Sequence, residues 1–215
     1  MDSRMRKVME FVREGSFVAD IGADHGYLSI ELALSGRAAK IIATEKNFYP
    51  CEALRRNISL AGLENAIEVR IGDGLQVISV GEVDTICIAG MGGALIKKIL
   101  DDSPEVVNSA RQLILQPMNA AEKVREWLNE NNWTIDDEEL AEASGFIYEI
   151  ISAVRFSGEK RTFKRETSPL LKKFLIQRVK KLERVLEEMK NSPSARNSEK
   201  FSAIQVEIDD LRRLC

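Results

Sequence analysis

The sequence predicts an α/β fold: a mostly parallel sheet covered by helices on both faces, closed at one edge by an antiparallel hairpin and followed by a small helical hairpin. Three observations lead there. Short apolar runs that stop at glycine or an acid alternate with helical spacings through the first 130 residues. After residue 131 two strand-like runs follow each other with only Ala143-Ser144-Gly145 between them, too little chain for a crossover helix. Beyond residue 168 the apolar residues fall into two heptad-like stripes.

The elements follow in order. Met5, Val8, Met9 and Val12 recur at helical spacing, and Phe17 to Ile21 is an apolar run ending at Gly22. Tyr27 to Leu34 reads as a helix closed by Ser35-Gly36, and Lys40 to Thr44 as a second strand ending at Glu45. Tyr49 to Leu60 is helical, with Gly62 placed to cap it. Ile67 to Ile71, Val83 to Ala89 and Gln112 to Gln116 are the next three strands, stopping at Gly72, Gly90 and Pro117. Right-handed crossovers between such strands give a parallel sheet. Trp133 to Leu140 and Phe146 to Phe156 form the antiparallel pair. A sheet ending this way suits a methyltransferase better than a dehydrogenase. Ser168-Pro169 predicts a helix start. Leu175, Val179, Leu182, Leu186 and Met189 mark one helix, Asn191 to Ser194 a break, and Phe201, Ile204, Ile208, Leu211 and Cys215 a second helix folding back on it. The predicted division is residues 1–157 and residues 158–215.

Composition narrows the function. The chain of 215 residues is 44% hydrophobic and 30% charged, enough for a packed core, and holds no apolar run long enough to span a membrane. The N-terminus lacks the uninterrupted apolar stretch of a signal peptide. Cys51, Cys87 and Cys215 form no CxxC pair, and a single histidine offers little to zinc, so a cytoplasmic, reduced, metal-free protein is expected. The net charge of −3 conceals an asymmetry. Residues 158–215 carry 15 Lys/Arg against 9 Asp/Glu, whereas the preceding 157 carry 16 against 25. A basic appendage on an acidic body is a layout used for nucleic acids, and a solvated helix face gives the same count.

Open α/β sheets bind ligands beyond the carboxyl ends of their strands. Those ends carry Asp20-Ile21-Gly22-Ala23-Asp24-His25-Gly26-Tyr27, then Glu45-Lys46, then Asp73-Gly74, then Gly90-Met91-Gly92-Gly93. Gly22 allows a sharp turn and Gly26 a close approach before the helix. A carboxylate at Glu45 can accept from both hydroxyls of a ribose, and Asp73 from an adenine amine. A dinucleotide fingerprint needs GxGxxG so that a pyrophosphate can sit on the helix N-terminus. Here an acid, Asp24, stands in the loop instead, which disfavours a pyrophosphate and favours the sulfonium and ammonium of S-adenosylmethionine. The plainer readings are that Asp24 caps the following helix with His25 filling space, that Glu45 and Asp73 are solvated loop acids, and that Gly92-Gly93 serves tight packing. Trp127 and Trp133 are expected in the core, and Cys51 and Cys87 as buried and inert.

Val18-Ala19-Asp20-Ile21-Gly22-Ala23-Asp24-His25-Gly26-Tyr27-Leu28, Ile71-Gly72-Asp73-Gly74-Leu75, Ile88-Ala89-Gly90-Met91-Gly92-Gly93 and Leu113-Ile114-Leu115-Gln116-Pro117 resemble the signatures of the bacterial tRNA (adenine(22)-N(1))-methyltransferases, TrmK. The resemblance runs through residues 4–156 and into the helical region. It implies a class I methyltransferase (Rossmann-like) sheet with a C-terminal coiled-coil-like domain, S-adenosyl-L-methionine as donor, and N1 of a D-arm adenine of tRNA as acceptor. Asp20, Gly22, Glu45, Asp73, Gly74, Ala89, Gly90 and Met91 match the cofactor positions, and Asp24, His25 and Lys46 complete the candidate cofactor set. Asp24, His25, Tyr27 and Asn119 are the candidates at the acceptor. The family has Asn directly after Gln-Pro, where this chain has Met118 and then Asn119. Lys164, Arg165, Lys172, Lys173, Arg178, Lys180 and Lys181 are the candidates for RNA phosphates. A monomer is favoured. A methyltransferase acting on another RNA or a small molecule, and a non-catalytic RNA-binding module, are the alternatives.

Overall fold

The computed structural model describes residues 2–155 and 165–214. Its first helix, α1 (Ser3–Phe11), opens on Asp2, whose carboxylate accepts from the Met5 amide at 2.9 Å. Then come β1 (Ser16–Ile21), α2 (Tyr27–Leu34), β2 (Ala38–Glu45), α3 (Phe48–Leu60), β3 (Ile67–Ile71) and β4 (Thr85–Met91). Two helices not delineated from the sequence, α4 (Gly93–Asp101) and α5 (Pro104–Ser109), lead to β5 (Gln112–Pro117), and a third, α6 (Ala121–Glu130), to β6 (Thr134–Ala143) and β7 (Phe146–Val154).

The seven strands lie in the order β3-β2-β1-β4-β5-β7-β6, the first five parallel and β7 antiparallel to both neighbours, as expected. Alternate strand residues feed two cores. Val18, Ile41, Cys87, Ile114 and Ile150 pack against α1, α2 and α3, and Ala19, Ile86, Ile88, Leu113 and Leu115 against α4, α5 and α6. Trp127 and Trp133 belong to the second core, as expected, and Cys51 and Cys87 are buried free thiols. The strand order reverses between β1 and β4, where an α/β sheet opens its ligand crevice.

The predicted strand end at Phe156 and the predicted boundary at 157 lie outside the described residues, as does Cys215. Where Ser168-Pro169 predicts a helix start, the chain instead makes a turn in which the Ser168 hydroxyl accepts from the Leu170 amide at 3.2 Å, and α7 (Leu171–Lys190) begins beyond it. The break at Asn191 holds, but Pro193 is well suited to a first helical position and starts a one-turn helix, α8 (Pro193–Arg196), before α9 (Glu199–Arg213). Val179, Ile204 and Ile208 form the seam between α7 and α9. Leu211, near the end of α9, packs on the cluster holding Phe174 and Leu175 near the start of α7, so the helices run antiparallel. That cluster, with Leu140 and Ile147, seats α7 on the terminal hairpin of the sheet. Beside it, Glu138 and Glu149, both buried, receive Arg125 at 2.7 Å each and Arg165 at 3.7 and 3.3 Å.

Candidate active site

The four predicted strand ends do converge: Asp20, Gly22, Asp24, His25, Glu45, Lys46, Asp73, Gly74, Ala89, Gly90 and Met91 all line one cavity of about 530 Å³, as does Tyr27. That volume lies within the range of small-molecule and cofactor sites.

The β1–α2 loop is built by conformations that only some residues tolerate. Gly22 has φ +69°, and a side chain there would come within 2.2 Å of the Met91 methyl. Asp24, with φ +51°, is a non-glycine in the left-handed region, an arrangement that costs about 1 kcal/mol and clusters at functional sites. Its carboxylate does not cap α2. The N-cap is Gly26, and no side chain caps that helix, which removes the plainer reading of Asp24. Asp24 is instead open to solvent beside His25, 3.7 Å from its Nε2, and the His25 and Tyr27 rings lie 5.6 Å apart. Asp20 is the opposite case. It is 3% exposed, its carboxylate accepts from the Ser29 hydroxyl at 2.6 Å, and burial pushes its pKa up to about 6 although Ser29 holds it down.

At the end of β2, Glu45 is 8% exposed. One oxygen, Oε1, accepts from the Lys46 and Asn47 amides at 2.9 and 3.1 Å at the start of α3. A carboxylate offers about four acceptor positions, so two remain for a diol. Its partners fix it as a structured acceptor rather than a solvated loop acid. Asp73 receives Lys46 Nζ at 2.7 Å, so its charge is shared with that lysine across the cavity mouth.

The β4 end is tied from behind. Gly90 sits at a bulge where β4 and β5 shift register. Gln116, fully buried, accepts from the Gly90 amide at 3.0 Å and from Arg4 Nη1 at 2.9 Å, and donates to Pro117 O at 3.0 Å. In the Gly90-Met91-Gly92-Gly93 turn two amides are already used: Gly90 donates to Gln116, and Gly93 donates to Asn119 O at 3.0 Å. A Cβ on Gly93 would meet Ala120 O at 2.2 Å, so at that position the tight-packing reading holds.

Asn119 lies outside this cavity. Its side chain faces Gly92, and it lines a second cavity of about 600 Å³ between the Pro117–Asn119 turn, the hairpin and α7. Of the basic candidates, Arg178, Lys180 and Lys181 line that second cavity, and Lys164 lies outside the described residues. Arg165 is committed to Glu138 and Glu149, Lys173 to Glu142, and Arg178 to Glu207 at 2.6 Å. Lys172, Lys180 and Lys181 are exposed and make no ion pair among the described residues.

Sequence reasoning did not single out Arg4 and Met5 of α1 or Asn47, all in the wall of the first cavity. Asn47 was open to discovery as the residue opening a helix after Glu45; nothing local marks Arg4. Among the described residues no group of three or more His, Cys, Asp or Glu is placed to hold a metal ion, and no helix is long and apolar enough to cross a membrane.

Residues 1–151 match the family described as "Methyltransferase domain". The tRNA (adenine(22)-N(1))-methyltransferase of Bacillus subtilis (strain 168) is 40% identical over 153 residues, 71% of this chain, and the chain spans 64% of the length of that curated relative. The crystal structure of the B. subtilis m1A22 tRNA methyltransferase TrmK is similar over 99% of this chain and 97% of its own, with TM-score 0.82 and 31% identity. A Streptococcus pneumoniae structure in complex with S-adenosyl-L-methionine is similar over 99% of both chains, with TM-score 0.84 and 30% identity. On its methyltransferase domain and its likeness along nearly the whole chain, this protein belongs to the TrmK family of tRNA (adenine(22)-N(1))-methyltransferases.

Proposed function

We propose that the protein transfers a methyl group from S-adenosyl-L-methionine to N1 of adenine 22 in the D-arm of bacterial tRNA. The observation that carries this reading is the convergence of Asp20, Asp24, Glu45 and Asp73 on one cavity in a chain of this family. S-Adenosyl-L-methionine supplies a methyl group on a sulfonium, already activated for displacement. Glu45, held by two amides, takes the ribose hydroxyls; Asp73 takes the adenine amine; Asp20 and Asp24 favour the cationic end. The turns at Gly22 and Gly90 leave the backbone close to the ligand.

Adenine N1 carries its own lone pair, so no base has to remove a proton before attack. Rate enhancement then rests on in-line positioning and on carboxylates that favour the cationic product. Asp24 accepts from the exocyclic amine of the acceptor, with His25 and Tyr27 beside the base. The N1 edge is used in pairing, so a paired acceptor must leave its helix, at a cost of a few kcal/mol. The basic helices following the catalytic domain meet tRNA phosphates through Lys172, Lys180 and Lys181. On this reading residues 1–157 do the chemistry and residues 158–215 hold the RNA.

Asp24→Ala tests the assignment. With labelled cofactor and an unmodified tRNA transcript, kcat is expected to fall about a hundredfold, the scale of losing one transition-state contact. Calorimetric cofactor binding separates a loss of chemistry from a loss of donor. An enzyme that binds cofactor normally and methylates at full rate removes Asp24 from the reaction.

A further inference from the structure

The second cavity shares a wall with the first. Arg4 lines the cofactor cavity, while its guanidinium lies 3.4 Å from Met118 Sδ and 5.3 Å from the centre of the Tyr148 ring, both of which line the second cavity. Two walls of the second cavity, α7 and the hairpin, are tied together: Gln177 of α7 accepts from the Ile147 amide at 3.2 Å and donates to Gly145 O at 2.9 Å. Two apolar side chains stand exposed in it, Phe146 at 63% and Met118 at 41%. Facing them, α7 presents Lys180, Lys181 and Arg184, none of which makes an ion pair among the described residues. The acid in the wall, Glu149, is already neutralised by Arg125 and Arg165.

An exposed aromatic ring opposite unpaired cations is the combination that single-stranded nucleic acid recruits, the base stacking on the ring and the phosphates meeting the charges. An apolar peptide or an apolar helix would leave those three cations unmatched. We propose that the second cavity is a nucleotide subsite, which takes one unstacked nucleotide flanking the methylated adenine, its base on Phe146 and its phosphates at Lys180, Lys181 and Arg184. The proposal rests on the tRNA methyltransferase reading and deepens it. When the acceptor leaves its helix, the adjoining base loses a stacking neighbour, and Phe146 replaces it. The shared wall at Arg4 puts this subsite one side chain away from the cofactor cavity, a separation suited to adjacent nucleotides.

Steady-state methylation of a tRNA transcript by Phe146→Ala, Phe146→Trp and Arg184→Glu tests this; both positions are exposed, and neither belongs to the cofactor cavity. Phe146→Ala should raise KM for tRNA about tenfold, within the range of one lost base–aromatic stack, and leave cofactor affinity unchanged. Phe146→Trp should restore it, which a merely structural role would not produce. Arg184→Glu should raise KM for tRNA and reduce its salt dependence. A transcript made abasic beside the acceptor should bind wild type more weakly yet lose nothing further with Phe146→Ala. If KM for tRNA stays within twofold in Phe146→Ala and Arg184→Glu while wild type methylates tRNA, the subsite is wrong and the RNA reading stands. If wild type methylates no tRNA although cofactor binds, the RNA reading falls and takes the subsite with it.

Discussion

Two aspartates four residues apart in one loop show how environment divides labour. Asp20 is enclosed, bonded to Ser29, and raised to about 6; Asp24 stands exposed in a left-handed conformation beside His25. The motif shows both acids but not this contrast, because it depends on α2 folding back over Asp20. The raised value has a stability consequence. Between its ordinary value of 3.8 and about 6 the folded protein holds a proton at Asp20 that the unfolded chain has lost. Stability from this group is therefore present at pH 4 and lost as pH rises through 6, by about 3 kcal/mol in all. Asp20→Asn cannot ionise. Relative to wild type, its free energy of unfolding in urea should shift in its favour by about 3 kcal/mol between pH 4 and pH 7. A difference between the two proteins that stays constant over that range would mean that burial does not penalise the Asp20 charge.

The elements were legible to the degree that local pattern determines them. β1 and β5 are apolar runs bounded by glycine or proline and buried inside the sheet, whereas β3, at the sheet's edge, is legible by the alternation of Ile67, Val69 and Ile71 with Glu68 and Arg70. α2 was delimited at both ends because Gly26 and Ser35-Gly36 bracket its apolar stretch. α4, α5 and α6 went undelineated: α4 begins inside a glycine-rich turn, α5 is only 6 residues long, and α6 opens on Ala120 at φ +51° with no side-chain cap. At the C-terminal side, the position of the helical hairpin depends on a contact no local pattern reveals. Glu138 of β6 and Glu149 of β7 meet Arg125 of α6 and Arg165, which precedes α7. Burial works against the Arg125 charge, but Glu149 and Glu138 outweigh it and hold the guanidinium protonated. Arg125→Ala leaves two buried carboxylates sharing Arg165 and should reduce the free energy of unfolding by about 3 kcal/mol. Urea unfolding measures it, and a loss below about 1 kcal/mol would show that Arg165 alone suffices.

For the whole molecule, the convergence of the strand ends on one cavity was readable, and the make-up of the second cavity was not. Ligands of a parallel sheet gather at strand ends, so an acid or glycine closing each predicted strand already names its place. Arg4 reaches Gln116 across 112 residues of sequence, and Phe146, Met118 and Arg184 meet only because the hairpin, the β5 turn and α7 are packed together. No spacing rule brings such residues to one cavity. The charge division is the large-scale trace of the same design, with 25 acids before residue 158 and an excess of bases after it. On the proposed function, the acids favour a cationic donor and the bases a polyanionic acceptor.

On the proposed function, both ends of this arrangement serve one reaction, methylation of adenine N1 in the tRNA D-arm. The most direct measurement incubates an unmodified bacterial tRNA transcript with the protein and S-adenosyl-L-methionine, then maps the product by reverse transcription. A methyl on N1 blocks pairing, so a new stop at adenine 22, lost when that adenine is replaced, is expected. Methyl incorporation without that stop would contradict the acceptor assignment, and cofactor binding without any methyl transfer to tRNA would contradict the proposed function itself.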